Sequence, residues 1–376
     1  MSGAAVPVPV AWPVPMAPSD RSWLAPQAPE QALALPAHCY VGAMAAQRDR
    51  DTVLARGWQL LARTSQLARS GDHVTGDLAG VPLVLLRDEA GGLRALHNVC
   101  RHRGGPLVRC SGSGLRVLSC QYHGWTYALD GVLRGAPDMA GVPGFDPAAV
   151  RLPAARLAVW QGLVFGCLDE SAPPFEAVVA GIDARLGGLD LARHAFHRRV
   201  VYEVDCDWKL YVDNYLEGYH VPKVHPGLNA LLDYRSYTTT LARWHSLQFS
   251  PLESAPDLYG AGEALYYFLY PNTMLNILPG RLQTNRVLPA GEGRCRVEFD
   301  YAYAPGAWTP ARIDADLAFS DAVQAEDAAI CADVQRGLCS GSYQPGRLNP
   351  AREQGVHHFH ELLRDAYRSS LNGDGV

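Results

Sequence analysis

Cys100-Arg-His102 and Cys120-Gln-Tyr-His123 stand seventeen residues apart, and a fold that uses them must bring the two segments together. Each segment offers one soft sulfur and one imidazole nitrogen. A [2Fe–2S] cluster with two thiolates on one iron and two imidazoles on the other needs that alternation. Gly104, Gly105 and Gly124 beside the loops let backbone N–H groups approach the sulfides. A Cys₂His₂ zinc site is the competing reading, but zinc sites of that composition usually pair Cys with Cys and His with His. The spacing therefore predicts a Rieske-type cluster held by Cys100, His102, Cys120 and His123. Cys39, Cys110, Cys167, Cys206, Cys295, Cys331 and Cys339 have no histidine at loop spacing and read as small buried hydrophobes.

A second concentration of chemistry runs from Trp208 to Pro226, with Asp213, Glu217, His220 and His225 among aromatic residues. If Asp213 to His220 is helical, Asp213, Glu217 and His220 share one face. Pro222 then bends or ends the helix, because it lacks a donor and its ring clashes with the preceding turn. That break lets His225 swing back toward His220. Two histidines lacking only a carboxylate are half of a non-haem iron site. By itself the stretch is equally readable as a buried polar helix with satisfied histidines.

The surrounding chain divides by composition. Residues 1–37 are rich in Pro and Ala and read as a flexible, extended arm. A helix is expected over Cys39–Arg56, stopped by Gly57. Residues 57–170 alternate short apolar runs with Gly- and Asp-rich turns, as a small all-β domain does. The predicted strands there are Trp58–Ala62, Val81–Arg87, Leu93–Leu96, Leu115–Ser119, Trp125–Ala128 and Leu163–Leu168. Residues 38–56 and 171–376 form the other domain. Its predicted antiparallel strands are Val200–Asp205, Leu241–Phe249, Ala264–Leu269, Thr273–Leu278, Thr284–Leu288 and Cys295–Tyr303. A long helix over 310–338 and a last helix over His358–Ser370 follow. The 376 residues carry a formal charge of −5, which gives no reason to expect nucleic acid as a partner. No apolar run is long enough to span a bilayer and no secretory signal is visible, so a soluble cytoplasmic protein without a membrane partner is expected. There is also no Gly-x-Gly-x-x-Gly following a strand, hence no nicotinamide or flavin fingerprint.

With both motifs in view the chain resembles the large (α) subunit of Rieske non-haem iron oxygenases over nearly everything after residue 40. The resemblance rests on the two Cys/His loops, on Asp213-Asn-Tyr-Leu-Glu217-Gly-Tyr-His220 and on His225-Pro226. The segment Asn214–Tyr237, with Val-Pro-Lys-Val-His-Pro-Gly-Leu-Asn and Leu-Asp-Tyr-Arg-Ser-Tyr, is most similar to the choline monooxygenase-like, quaternary-amine-oxidising branch. The resemblance implies an α+β chain: a Rieske β domain joined to a helix-grip catalytic domain, an antiparallel sheet wrapped on a long C-terminal helix. It implies mononuclear Fe(II) held by His220, His225 and a late carboxylate. Asp327 is the best match for that acid, because it shares a helix face with Val323, Ile330 and Val334. Glu326, Asp321 and Asp333 compete. Glu217 is implied to bridge to a Rieske histidine, His123, of a neighbouring subunit; an ordinary role orienting His220 is its alternative. Asp213 is expected to support the site rather than to ligate.

The same resemblance implies a homotrimer, a separate NAD(P)H-dependent reductase with flavin or iron–sulfur centres, and O₂ as co-substrate. The expected activity is hydroxylation of a small quaternary amine or betaine. Hydroxylation of a small aromatic compound is the alternative within the class, and a Rieske electron carrier is the alternative outside it. For the pocket, Tyr266, Tyr267, Phe268, Tyr270, Asn272, Trp244, His245, Arg281 and Arg286 are candidates. Strand alternation should send about half of the aromatic ones to the core.

Overall fold

The computed structural model describes residues 21–232, 235–252 and 258–373. Of the sequence expectations, residues 1–20 of the arm, and Asp233 and Tyr234 of the Leu-Asp-Tyr-Arg-Ser-Tyr segment, lie outside the described residues.

Residues 59–167 build three small antiparallel sheets. The first orders Gln59–Arg63, Leu163–Cys167 and Arg156–Trp160, which brings the two ends of the unit together. The second runs through His73–Leu78, Val81–Arg87 and Leu93–His97. Leu118–Ser119, Thr126–Tyr127 and Leu133–Gly135 make the third and carry the second Cys/His loop at their base. His73–Leu78, Leu133–Gly135 and Arg156–Trp160 escaped the sequence reading. His73–Leu78 and Leu133–Gly135 are partly exposed and interrupted by charged residues, so no apolar run marks them; Arg156–Trp160 does carry the run Leu-Ala-Val-Trp, which the sequence reading passed over.

The remainder is organised on one antiparallel sheet of seven strands. Its order is Ala195–Val204, Cys295–Tyr303, Arg281–Pro289, Thr273–Leu278, Glu263–Leu269, His245–Pro251, Thr238–Leu241. The expected strand Leu241–Phe249 is instead a hairpin corner, with Ala242–Trp244 turning between two strands. The long helix spans Pro310–Cys339 and the last spans Gln354–Gly373. Together they support an α+β architecture with the long helix against the sheet.

The helix Trp208–Tyr215 packs between the strands Arg281–Pro289 and Cys295–Tyr303 and the two late helices. Its start is fixed by Asp207, whose carboxylate accepts the Lys209 N–H at 3.0 Å. Lys209 is fully buried and ion-pairs with Asp207 and with Asp49. Asp49 also accepts from Trp208 Nε1 at 3.0 Å and from the Tyr367 hydroxyl at 2.6 Å. A buried ammonium survives only with its charge neutralised and its protons bonded, and these contacts do both. They tie the site helix to both the early and the last helix.

From residue 21 onward the expected arm is not free. Leu24, Ala32 and Leu35 are buried, Ala34 N–H bonds to Gly346 O at 2.9 Å, and the buried Arg364 donates to the carbonyls of Trp23 and Leu33. The arm's prolines lack an N–H and break regular hydrogen bonding, so beyond a few single turns the segment finds its partners in the C-terminal residues. The expected helix Cys39–Arg56 is shorter, with α-helix over Ala43–Asp49 and a wider turn over Arg50–Leu54. No helix among the described residues is long and apolar enough to cross a membrane. Cys110 and Cys339 are exposed, against expectation; the other five cysteines read as buried hydrophobes are buried.

Candidate active site

The two Cys/His loops close into tight turns of matching form. Cys100 N–H bonds to Gly105 O at 2.8 Å and Gly104 N–H returns to Cys100 O; Cys120 N–H bonds to Trp125 O at 2.9 Å and Gly124 N–H returns to Cys120 O. Gly104 and Gly124 sit at φ +74° and +70°, where a side chain would strain the turn. Cys100 and Cys120 are buried, whereas His102 is exposed and His123 half-buried, with the imidazole centroids 4.6 Å apart. His102 stacks on Trp125 at 4.8 Å, and His123 lies against Tyr122 and Arg103. Burial and the neighbouring Arg103 and His102 lower the His123 pKa, which favours the neutral imidazole that a metal ligand must be. The Tyr127 hydroxyl lies 3.3 Å from Cys100 Sγ.

A Cβ on Gly105 would stand 2.9 Å from Cys120 Sγ, so the glycine leaves room at the sulfur that a side chain would fill. Among the described residues, no three of these four donors come within 4.8 Å of one another, as donors on one tetrahedral ion would. Buried sulfurs inside, imidazoles at the rim and a wide donor spacing fit a two-iron cluster better than zinc.

His220, His225 and Asp327 do converge: one ligand atom from each lies within 4.8 Å of the others. Asp327 Oδ1 is 3.0 Å from His225 Nε2 and 3.9 Å from His220 Nε2. The opposite ring nitrogens are both held by carboxylates. Glu217 Oε1 lies 2.6 Å from His220 Nδ1, and Glu326 Oε2 lies 2.7 Å from His225 Nδ1. Each acid fixes the Nδ1–H tautomer and aims the Nε2 lone pair at the shared point. Asn214 Nδ2 donates to Asp327 Oδ1 at 2.5 Å. Two imidazoles and one carboxylate, with two more acids behind them, suit a divalent ion with open positions. Burial disfavours protonating His225, but its hydrogen bonds to Asp327 and Glu326 outweigh that and raise its pKa.

The local structure differs from the helical expectation. The helix ends at Tyr215; Glu217 then takes the N–H groups of Tyr219 and His220, which a continuing helix would have given to carbonyls. Pro222 does not stop a helix but opens the next short one, Val221–Val224, and Pro226 opens another over Pro226–Leu231. Asp213 turns away from the His220–His225–Asp327 group. It accepts from the Tyr40 hydroxyl at 2.6 Å and faces His360 Nε2 at 3.0 Å. Of the competitors to Asp327, Asp321 accepts from the Tyr202 hydroxyl and Asp333 pairs with Arg336. Glu326, the third competitor, reaches His225 from behind at Nδ1 instead of joining the convergent group.

A cavity of about 130 Å³ opens beside this group. One wall is a row of paired residues crossing the sheet, Gln248, Tyr266, Asn276 and Gln283, each the register partner of the next. Tyr237, Tyr259, Phe299 and Phe319 supply aromatic surface, and the Tyr215 hydroxyl bonds Asn276 at 2.7 Å. Of the predicted pocket residues, Tyr266 and Arg281 line the cavity. Tyr267 points to the opposite face of the sheet, as alternation requires, whereas Phe268, on the Tyr266 face, and Tyr270, just past the strand, are buried against Phe359 of the last helix. His245 bonds Val178 O, Asn272 bonds Gln59 and Val287, Arg286 pairs with Glu298, and Trp244 packs against Tyr270. The wall was findable in part: Asn276 interrupts the apolar run Met274–Leu278, and Gln248 stands between Leu247 and Phe249.

The family description "Ring hydroxylating alpha subunit (catalytic domain)" matches residues 191–369, and "Rieske [2Fe-2S] domain" matches residues 57–146. The chain is 38% identical to the chloroplastic choline monooxygenase of Arabidopsis thaliana, covering 89% of this chain and 83% of that one. It is 30% identical to the carnitine monooxygenase oxygenase subunit of Escherichia coli (strain K12), covering 90% and 95%. Among solved structures, the quaternary ammonium Rieske monooxygenase CntA in complex with L-carnitine superposes with a TM-score of 0.80 at 28% identity, over 90% of this chain and 97% of that one.

Proposed function

The chain belongs to the Rieske non-haem iron oxygenase α-subunit family, in the branch of the choline and carnitine monooxygenases, and from that we propose that it hydroxylates a C–H bond next to the nitrogen of a quaternary amine. The observation that carries this reading is the convergence of His220, His225 and Asp327 at an aromatic-walled cavity, in a chain that also holds the two Cys/His loops. The faces of Tyr237, Tyr266 and Phe319 suit a methylated ammonium, which cannot donate a hydrogen bond and is held by cation–π attraction and contact area. Hydroxylation there yields a carbinolamine, which collapses to a carbonyl compound and the free amine; on a choline-type alcohol, insertion at the carbon bearing the hydroxyl would instead give an aldehyde hydrate.

Cys100, His102, Cys120 and His123 would hold the cluster, and His220, His225 and Asp327 the ferrous ion. When bound, these centres supply single electrons and activate O₂. The residues around them do the rest. Glu217 and Glu326 keep the two imidazoles in one tautomer and orientation. Asn214 holds the Asp327 carboxylate, and the aromatic wall excludes water from the reacting carbon.

An α subunit of this family needs an electron-transfer partner. We take it to be an NAD(P)H-dependent reductase, since the sequence has no nucleotide fingerprint of its own. Within one chain His123 contacts Arg103 and Tyr122, and among the described residues it makes no bond to Glu217. The family match, with inter-subunit electron transfer described for a solved quaternary ammonium Rieske monooxygenase, supports a homotrimer in which Glu217 meets His123 of a neighbouring copy. Nine unpaired cysteines support a reducing compartment such as the cytoplasm.

Purified chain with a surrogate reductase should contain about three irons, two in the cluster and one mononuclear, and should insert label from ¹⁸O₂ into a quaternary amine. His220→Ala should keep the Rieske absorption, lose the third iron and abolish insertion. A preparation holding only the cluster iron yet active, or turnover by His220→Ala, would overturn the reading.

A further inference from the structure

Arg281 is buried against the cavity, and the structure spends several polar groups on holding it there. Its Nε donates to Asp316 Oδ2 at 2.7 Å and its Nη2 to Gln283 Oε1. Asp316, fully buried, is itself saturated by the Tyr259 and Tyr303 hydroxyls, each at 2.6 Å. These contacts occupy the back of the guanidinium. Among the described residues no acceptor is paired with Nη1, although Arg281 lines the cavity. Structural support alone would not require a charged side chain on this wall, because removing a guanidinium from water is costly and Asp316 already has two hydroxyl donors. A fork held from behind is how a protein presents arginine to a carboxylate.

The placement also sets a length. Asp327 lies eleven positions after Asp316 along the helix, an axial rise of about 16 Å. Ser320 and Gln324 line the cavity between them, on the same face of the helix. The helix residues that line the cavity, Phe319 to Asp327, cover about two turns, with Arg281, held by Asp316 from one turn earlier, at one end and the His220–His225–Asp327 group at the other. An ammonium methyl near that group and a carboxylate at Arg281 can belong to one molecule only if a chain of several carbons joins them.

We propose that Arg281 is the specificity-determining residue of this site and that the substrate is a quaternary ammonium compound bearing a carboxylate at its far end, rather than an alcohol of the choline type. This rests on the functional reading above and narrows it. A carboxylate at Arg281 gains charge-assisted hydrogen bonds in a water-poor site; a hydroxyl or an ester there leaves the guanidinium unmatched.

The test is anaerobic titration calorimetry of the iron-loaded protein with γ-butyrobetaine, its methyl ester, choline and benzoate. The wild-type protein should bind γ-butyrobetaine about 10- to 100-fold more tightly than the ester or choline. Arg281→Gln should abolish that preference and Arg281→Lys should keep part of it, with circular dichroism checking that both fold. The comparison of acid with ester in the wild type needs no variant. The inference is overturned if ester or choline binds as tightly as the acid, if Arg281→Gln weakens acid and ester alike, or if no carboxylate binds. Benzoate binding that depends on Arg281, without binding of γ-butyrobetaine, would leave the carboxylate site standing and remove the quaternary-amine reading.

Discussion

Glu326 holds His225 by its outer nitrogen, Oε2 to Nδ1 at 2.7 Å, while the next residue in sequence, Asp327, meets the same ring at Nε2. Adjacent residues on a helix point about 100° apart, so a single turn of the long helix grips one imidazole at both nitrogens. Glu326 is partly exposed, and its worth lies in the tautomer it selects rather than in a strong ion pair.

Glu326→Ala should weaken mononuclear iron binding by about 10- to 100-fold while leaving the Rieske spectrum intact. Glu326→Gln can still accept from Nδ1–H through its amide oxygen and should lose less. Iron titration of the stripped protein, followed by calorimetry, reads both. Equal loss in the two variants would show that the charge matters and not the hydrogen bond.

Glu217 makes the matching contact to His220 and also accepts two backbone N–H groups, so its geometry within the chain is that of an orienting residue. The proposed bridge to a neighbouring subunit is an additional role. Glu217→Gln keeps one acceptor oxygen, for His220 Nδ1–H or for the two backbone N–H groups but not for both; it should keep both metal centres, yet slow reoxidation of the reduced cluster by at least about tenfold, or 1.4 kcal/mol of barrier. Glu217→Ala should in addition lose the mononuclear iron. Unchanged single-turnover kinetics in the Gln variant would leave only the orienting role.

How far these sites were readable depended on whether their chemistry is local. The Cys/His loops are short, and their ligand spacing survives in the sequence unaltered. The strands Val81–Arg87, Thr273–Leu278 and Cys295–Tyr303 were readable because each is a continuous apolar or alternating run with turn residues at its ends. Asp327 was reached by a different route from the one the structure takes. The apolar positions Val323, Ile330 and Val334 suggested the inward face, but Val334 is 43% exposed. The buried stripe is Leu317, Gln324, Cys331 and Leu338, and Asp327 faces inward because it lies between Gln324 and Cys331 on it. Gln324 is buried because Tyr211 donates to it at 2.5 Å, and Gln335 because it accepts from Asp207 N–H at 2.8 Å. Such tertiary bonds erase the polar–apolar contrast on which a periodicity argument depends. The same holds at Glu217, where bonds to backbone N–H groups end a helix that spacing alone would continue.

Gly105 offers a test of the cluster fit that needs no oxygenase assay. An added Cβ would meet Cys120 Sγ at 2.9 Å, closer than carbon and sulfur approach without displacement. Gly105→Ala should therefore yield protein lacking the visible Rieske absorption and most of its acid-labile sulfide, with the mononuclear site still able to take up iron. A normal spectrum in this variant would place the sulfur elsewhere.

His225 makes removal of the mononuclear iron pH-dependent in a definite direction. In the metal-free chain its pKa lies above the ordinary value near 6.5, because the bonds to Asp327 and Glu326 outweigh the cost of burying the charge. A raised folded pKa contributes stability that is fully present below the unfolded value and is lost as pH climbs through the folded one. Protein stripped only of its mononuclear iron should therefore lose melting temperature as pH rises from about 6 to about 8, when the proton that offsets the carboxylates leaves. Iron takes the place of that proton, so its binding strengthens over the same window and the loaded protein falls less. The gap in melting temperature between loaded and stripped protein should widen with pH in scanning calorimetry. A constant gap would mean that His225 is not among the groups that exchange a proton for the metal.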